Sequence, residues 1–124
     1  MRIVQTKLMD PHFDNVRTGK KIFETRVYDD KRKAINVGDV FEFRHNSDTT
    51  RKTFKTVIVG IKVYKSFTTA IKDSGVKKVL PNVRTLEDAV KIYENFPHSE
   101  GTFKDGATKF GVVRFELAIY DTIY

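Results

Sequence analysis

The stretch Thr53-Phe-Lys-Thr-Val-Ile-Val-Gly-Ile-Lys-Val-Tyr64 is a long β-prone run, and it decides the fold class. Its β-branched and aromatic residues predict one extended strand. Gly60 interrupts the run in its middle. A glycine at that place predicts a bulge or bend, as found where a barrel turns a corner. We therefore expect a curled sheet.

Further strands are predicted on both sides of this run. Residues 2–8 alternate between polar and apolar side chains, and residues 22–28 and 40–44 are rich in β-formers. Residues 110–120 close the chain as a strand with its apolar side chains on one side. Residues 46–51 are polar and predict a hairpin loop between two strands.

Helices are predicted from capping residues and apolar spacing. Asp10-Pro11 predicts the start of a short helix, with Asp10 as its cap, and Gly19 predicts its end. Ser66 and Thr85 are each predicted to cap a further helix. The helix after Thr85 shows a core stripe at helical spacing, formed by Leu86, Ala89, Val90 and Tyr93.

Two polar segments, residues 29–36 and 97–109, are predicted to be loops, and the second is unusually long. The element order is then β-α-β-β-β-α-α-β, which does not interleave strands and helices as a parallel α/β sheet requires. We expect an α+β fold, a small and mostly antiparallel barrel with short flanking helices. The length of 124 residues predicts one domain over residues 1–124.

Composition narrows the function classes. The chain has 23 Lys and Arg against 16 Asp and Glu, a formal charge of +7, and no Cys. Such a surplus attracts polyanions and favours a nucleic-acid partner, although charge that serves solubility alone is the alternative. The chain lacks a long apolar run and a secretion signal, so we expect no membrane span and an intracellular, cytoplasmic location.

Common cofactor and metal motifs are absent from the sequence. His12, His45 and His98 lie in three unrelated segments, which argues against a zinc site and favours surface positions for all three. Dinucleotide, P-loop and nucleophile-elbow patterns do not occur. We therefore expect neither a metal nor a cofactor.

A cluster of charges at residues 19–33 is the most informative candidate site. Strand alternation places Glu24, Arg26 and Tyr28 on one face, with Phe23 and Val27 on the other. If the Phe23 face is the core, Glu24 and Arg26 face solvent or a cleft. If the Glu24 face is interior, the two charges are partly buried and paired.

The order of several short motifs resembles the ASCH family, in its short single-domain subgroup. The first motif is Gly19-Lys-Lys-Ile-Phe-Glu-Thr-Arg26, followed by Lys31-Arg-Lys33 and the Gly38-Asp39 turn. Val63-Tyr-Lys-Ser-Phe67 and Phe110-Gly-Val-Val113 resemble later segments of the same family. The resemblance covers nearly the whole chain.

This resemblance implies a PUA-like β-barrel and, beside it, a basic cleft for RNA or a nucleotide. The cations would contact phosphates or bases, Glu24 would accept from a base amino group, and Tyr28 and Tyr64 would stack on unpaired bases. The residues assigned to recognition in this way are Lys20, Lys21, Glu24, Arg26, Tyr28, Lys31, Arg32, Tyr64 and Ser66.

The resemblance also implies an alternative, a small hydrolase. One ASCH branch removes the acetyl group of N4-acetylcytidine with a Lys, a Thr and a Glu, and another is described as a ribonuclease. The Lys of the first branch aligns with Lys21, while its Thr aligns with Glu24. In an enzyme, Lys21 and Glu24 would be the catalytic residues, with a buried carboxylate as general base.

Overall fold

The computed structural model describes residues 1–120, so residues 121–124 of the predicted domain lie outside the described residues. Five strands form the main sheet: β1 (Ile3–Leu8), β2 (Phe23–Val27), β3 (Val40–His45), β4 (Phe54–Tyr64) and β7 (Val112–Ile119). Two short strands, β5 (Pro97–His98) and β6 (Gly101–Thr102), form a separate hairpin.

The sheet has the order β1-β3-β4-β7-β2, with β1 parallel to β3 and the other pairs antiparallel. The register of β4 against β7 shifts between Ile58 and Gly60, which confirms the bulge predicted at Gly60. The sheet curls into a half-barrel whose free edges are β1 and β2. A gap of about 20 Å³ touches both edge strands. The predicted α+β class is confirmed.

Six short helices flank the sheet within residues 1–120. They are α1 (His12–Arg17), α2 (Asp30–Lys33), α3 (Phe67–Ser74), α4 (Val76–Val79), α5 (Leu86–Glu94) and α6 (Phe103–Phe110). The predicted caps of α3 and α5 are confirmed, because the Ser66 and Thr85 hydroxyls accept hydrogen bonds from the backbone of the first turn. None of these helices is long and apolar enough to cross a membrane.

Three local predictions are wrong. Asp10 does not cap α1, because its carboxylate contacts His45 Nε2 at 3.2 Å and Arg51 Nη1 at 3.3 Å instead. The predicted loop at residues 29–36 contains α2, which Asp29 caps by accepting from Arg32 N at 3.2 Å. The predicted loop at residues 97–109 contains the β5–β6 hairpin and most of α6.

The hydrophobic core has two parts. The first lies inside the half-barrel around Phe43, Ile58 and Phe115, and α1 covers one end of it. The second lies between the outer face of β2 and β7 and the helices α3 to α6, around Phe67 and Tyr93. Strand β2 lies between the two parts of the core, so side chains on both of its faces are buried.

Candidate functional site

A cavity of about 910 Å³ lies where the two parts of the core meet. Its walls come from the end of β1, from α1, β2 and α2, and from residues 93–110. A volume of this size is within the range of small-ligand pockets, roughly 300–1,000 Å³.

Lys21 lies in this wall although it follows an exposed turn. Gly19, whose φ of 79° suits glycine, reverses the chain after α1, and Lys21 N then donates to Asn15 O at 2.9 Å. The Lys21 side chain is fully buried, and its ammonium donates to Val79 O at 2.8 Å and to Tyr93 Oη at 2.6 Å. An ammonium has three N–H donors, so one remains for a ligand.

Burial lowers the pKa of Lys21 from its usual 10.5 to about 8. The charge of Arg26 adds to this lowering, while the charge of Glu24 opposes it. Lys21 therefore stays mostly protonated at neutral pH, with about one-tenth of it neutral.

Glu24 is the second buried charge. Its Oε1 accepts from Thr25 N at 3.2 Å and contacts Arg26 Nε at 3.4 Å, while its Oε2 is buried without a hydrogen-bond partner among residues 1–120. Burial alone would raise the pKa of Glu24, but the charges of Lys21 and Arg26 more than offset this and lower it. The carboxylate is therefore an ionised acceptor with one free oxygen.

His12 is a third polar group in the wall, at the start of α1. Burial and the nearby charge of Lys21 lower its pKa from 6.5 to about 4, so the ring is neutral at pH 7. Its Nδ1 is also buried without a partner in the described part of the chain. The predicted surface positions of His12, His45 and His98 are wrong, because all three side chains are largely buried.

Aromatic rings form another part of the lining. Phe96, Phe103 and Phe110 line the cavity, and Phe103 stacks on Phe67 with ring centroids 5.7 Å apart. Phe96 meets Phe103 and Tyr93 edge-on. Phe96 also meets His12 edge-on, with ring centroids 6.0 Å apart, so the apolar and polar parts of the lining adjoin.

The β5–β6 hairpin is attached to α2 through His98. His98 Nδ1 accepts from Glu100 N at 3.1 Å, so Nε2 carries the ring hydrogen and donates to Asp29 Oδ2 at 3.0 Å. Asp29 also pairs with Arg32 at 3.1 Å. The two elements on either side of the cavity are thereby held together.

The charge of the lining is nearly balanced. Its cationic residues are Lys7, Lys21, Arg26, Lys31 and Arg32, and its acidic residues are Glu24, Asp29, Asp30 and Glu100. No cluster of three or more His, Asp or Glu side chains that could hold a metal ion occurs within residues 1–120.

Comparison with known proteins places the chain in a family. The sequence model of the ASCH domain matches residues 7–113, which is most of the chain. The chain belongs to the ASCH domain family. This PUA-like fold is often linked to RNA binding. A search of curated proteins found no significant match.

Two solved structures resemble this ASCH domain over nearly its whole length. The crystal structure of hypothetical protein PH0355 is 31% identical, with a TM-score of 0.79, and the match covers 97% of this chain and 100% of that one. The solution NMR structure of protein PF0455 from Pyrococcus furiosus is 28% identical, with a TM-score of 0.72, covering 96% and 98%.

The cavity of this ASCH domain gathers some of the residues predicted for recognition but not others. Lys21, Glu24, Arg26, Lys31 and Arg32 line it. Four do not: Lys20 is exposed in its turn, Tyr28 lies under the Lys33 ammonium, Tyr64 donates to Asp73 Oδ2 at 2.5 Å, and Ser66 caps α3.

Several lining residues were not predicted from the sequence: His12, Tyr93, Phe96, His98 and Phe103. The prediction that Tyr93 belongs to the core stripe of α5 is correct. The sequence around Tyr93 does not indicate its contact with Lys21. Phe103 and Phe110 are seven residues apart, a helical spacing that runs from the segment predicted to be a loop to Phe110, which was predicted to begin the closing strand but ends α6.

Proposed function

We propose that this ASCH domain binds RNA or a nucleotide by taking one unpaired base into the cavity. The observation that carries the proposal is Glu24: an ionised, buried carboxylate whose Oε2 has no partner within residues 1–120, beside the cations Lys21 and Arg26. A buried charged acceptor is costly to leave unpaired. A ligand that brings an N–H group to Oε2 removes this cost.

The rest of the lining suits the same ligand. Phe96, Phe103 and Phe110 offer rings on which a planar base can stack, at about 1–3 kcal/mol per base. The free donor of Lys21 and the guanidinium groups of Arg26 and Arg32 suit base carbonyl or phosphate oxygens. Acidic lining residues make the cavity selective for groups that carry donors, rather than a general polyanion groove.

The test is a screen of nucleosides, nucleotides and short single-stranded RNAs against the pure protein, with binding measured by calorimetry and products by mass spectrometry. For a ligand that binds, Glu24→Gln and Arg26→Ala should each weaken affinity by roughly 10- to 100-fold, the value of a charged hydrogen bond. Arg44→Ala is the matched control, because Arg44 is exposed on β3. Unchanged affinity in both cavity variants would contradict the proposal.

A second candidate, a small hydrolase that acts on a modified nucleoside, is favoured by one observation. The pKa of Lys21 is lowered to about 8, so its neutral amine is available as a base near neutral pH. Because Glu24 occupies the position where the deacetylating branch carries Thr, we expect no release of cytidine from N4-acetylcytidine in the same screen. Release that is abolished by Lys21→Ala would instead establish the hydrolase.

A further inference from the structure

The cavity does not account for the positive charge of the molecule. Its lining holds five cationic and four acidic residues, whereas the whole chain carries a formal charge of +7. Most of the surplus therefore lies on other surfaces. A second basic surface lies where two segments of the chain carry no acidic residue.

Two segments, residues 15–23 and residues 74–84, contain no Asp or Glu. The structure joins them side by side. Ile22 N donates to Lys78 O at 3.2 Å, and Asn15 Nδ2 donates to Asn82 Oδ1 at 2.8 Å. The Lys21 ammonium adds its bond to Val79 O. We call the joined surface of these two segments the α4 face.

The α4 face presents four exposed cations, Lys20, Lys77, Lys78 and Arg84. None of the four forms an ion pair within the described residues. Arg17, in the first segment, is already paired with Asp14 at 3.3 Å. In the chain, the flanking exposed or half-buried acids are Asp14, Asp73 and Glu87, which bound the face.

Some exposed cations outside the α4 face are paired with acids, whereas others, such as Lys52 and Lys104, are exposed without an ion pair in the described residues but do not lie in a segment free of acids. On β4, Lys62 is paired with Asp73 at 2.9 Å, and on α6, Lys109 is paired with Glu100 at 2.6 Å. Unpaired cations on a surface without acidic residues attract anions fully, because no carboxylate of the protein competes for them.

We propose that the α4 face binds the phosphodiester backbone of a nucleic-acid strand. The chemistry of the face fits a phosphate chain better than a membrane or a protein. Large exposed apolar side chains are found elsewhere among residues 1–120, at positions such as Val59 and Ile92, and not in either segment. Such groups commonly anchor peripheral membrane helices and form the centres of protein interfaces, whereas lysines contact phosphates as simple point charges.

The face and the cavity then have different tasks. The turn at residues 18–21 belongs to both, since Lys20 is exposed on the face while Lys21 is buried in the cavity wall. Phosphate contacts hold a strand without regard to sequence, and a pocket supplies the selection of a base. The inference goes beyond the proposed function and does not need it to be correct.

The experiment measures the affinity of a short labelled single-stranded RNA, and of DNA of the same sequence, as a function of salt. Each phosphate contact on a single strand contributes about 0.7 to the slope of log K against log salt. The double variant Lys77→Ala/Lys78→Ala should therefore reduce the magnitude of the slope by about 1.4. Lys20→Ala/Arg84→Ala should reduce it by a similar amount.

The matched control is Lys52→Ala/Lys104→Ala, which removes the same charge from two exposed lysines outside the face. An equal loss in this control would show an effect of net charge alone and overturn the proposal, as would an unchanged slope in both face variants. Binding to vesicles of anionic lipid that is lost in the face variants, while RNA and DNA affinity is unchanged, would also overturn it.

Nucleoside binding separates this inference from the proposed function, because a nucleoside has no phosphate. The face variants should bind a nucleoside as the wild type does. If no nucleoside binds but the salt slope still falls in the face variants, the cavity proposal fails and the α4 face stands.

Discussion

At the residue scale, Lys21 shows how a charge is retained in a core. Two oxygens accept from its ammonium, and the nearby Glu24 carboxylate opposes the loss of its proton. Burial still dominates, so the folded pKa of about 8 lies below the usual 10.5. Between these two values the unfolded chain binds more protons than the folded one. Raising the pH through that interval therefore stabilises the fold.

This behaviour gives a prediction for Lys21→Met. Between pH 8 and pH 10, the free energy of unfolding should increase by roughly 2–3 kcal/mol more in the wild type than in the variant. This follows from about 1.4 kcal/mol for each unit by which the pKa is lowered. Denaturant titrations at a series of pH values measure it. Lys20→Met, at the exposed neighbour, should follow the wild-type curve. Parallel curves for the wild type and Lys21→Met would show that Lys21 is not perturbed.

The sequence predicts the residues of this site better than their surroundings. Alternation correctly placed Glu24 and Arg26 together, and their contact at 3.4 Å matches the alternative in which the two charges are buried and paired. It did not predict that β2 is buried on both faces. The partners of Lys21 lie 58 and 72 residues away along the chain, on α4 and α5. Local patterns hold no information about contacts at that distance.

At the element scale, α6 explains why a helix was interpreted as a loop. Gly106 stands in its middle, and glycine weakens a helical pattern. The capping box, formed by Thr102 and Asp105, uses Asp in place of the usual Glu or Gln. The long strand β4 was predicted correctly because its β-formers and its bulge are both local. The helix α6 exists because Phe103 and Ala107 are buried against β2 and the neighbouring helices.

Gly106 has a packing role that leads to a second prediction. A Cβ at this position would lie 2.9 Å from Val27 Cγ2 and 3.0 Å from His98 Nδ1. Gly106→Ala should therefore destabilise the protein by about 1–3 kcal/mol, as overpacking does. This loss occurs although alanine favours an exposed helix by about 1 kcal/mol over glycine.

Chemical denaturation measures this loss, and Thr108→Ala, on the exposed side of α6, is the control that should change stability little. Because the added Cβ would lie against His98, amide exchange in the β5–β6 hairpin should also become faster in Gly106→Ala. Stability equal to or above that of the wild type would show that α6 can move away from β2 without cost.

At the scale of the whole molecule, the cavity lies between the two parts of the core. One wall comes from the half-barrel side, at Leu8, His12 and Glu24, and the other from the helical side, at Tyr93 and Phe103. Direct hydrogen bonds between the two sides include Lys21 to Tyr93 and His98 to Asp29. A ligand that contacts both walls adds a further link.

Ligand binding should therefore stabilise both sides together. At a ligand concentration of 100 times Kd, the gain is about 2.7 kcal/mol if the unfolded chain does not bind. Amide exchange should slow at Asn46, which donates to Leu8 O at the end of β1, and equally at Phe103, which donates to Phe96 O beside the hairpin. A nucleoside or short RNA identified by the screen serves as the ligand, and Glu24→Gln is the comparison variant, in which both effects should be smaller at the same ligand concentration because its affinity is weaker. Protection confined to one side would mean that the ligand rests on a single wall, and that the cavity does not join the half-barrel to the helices.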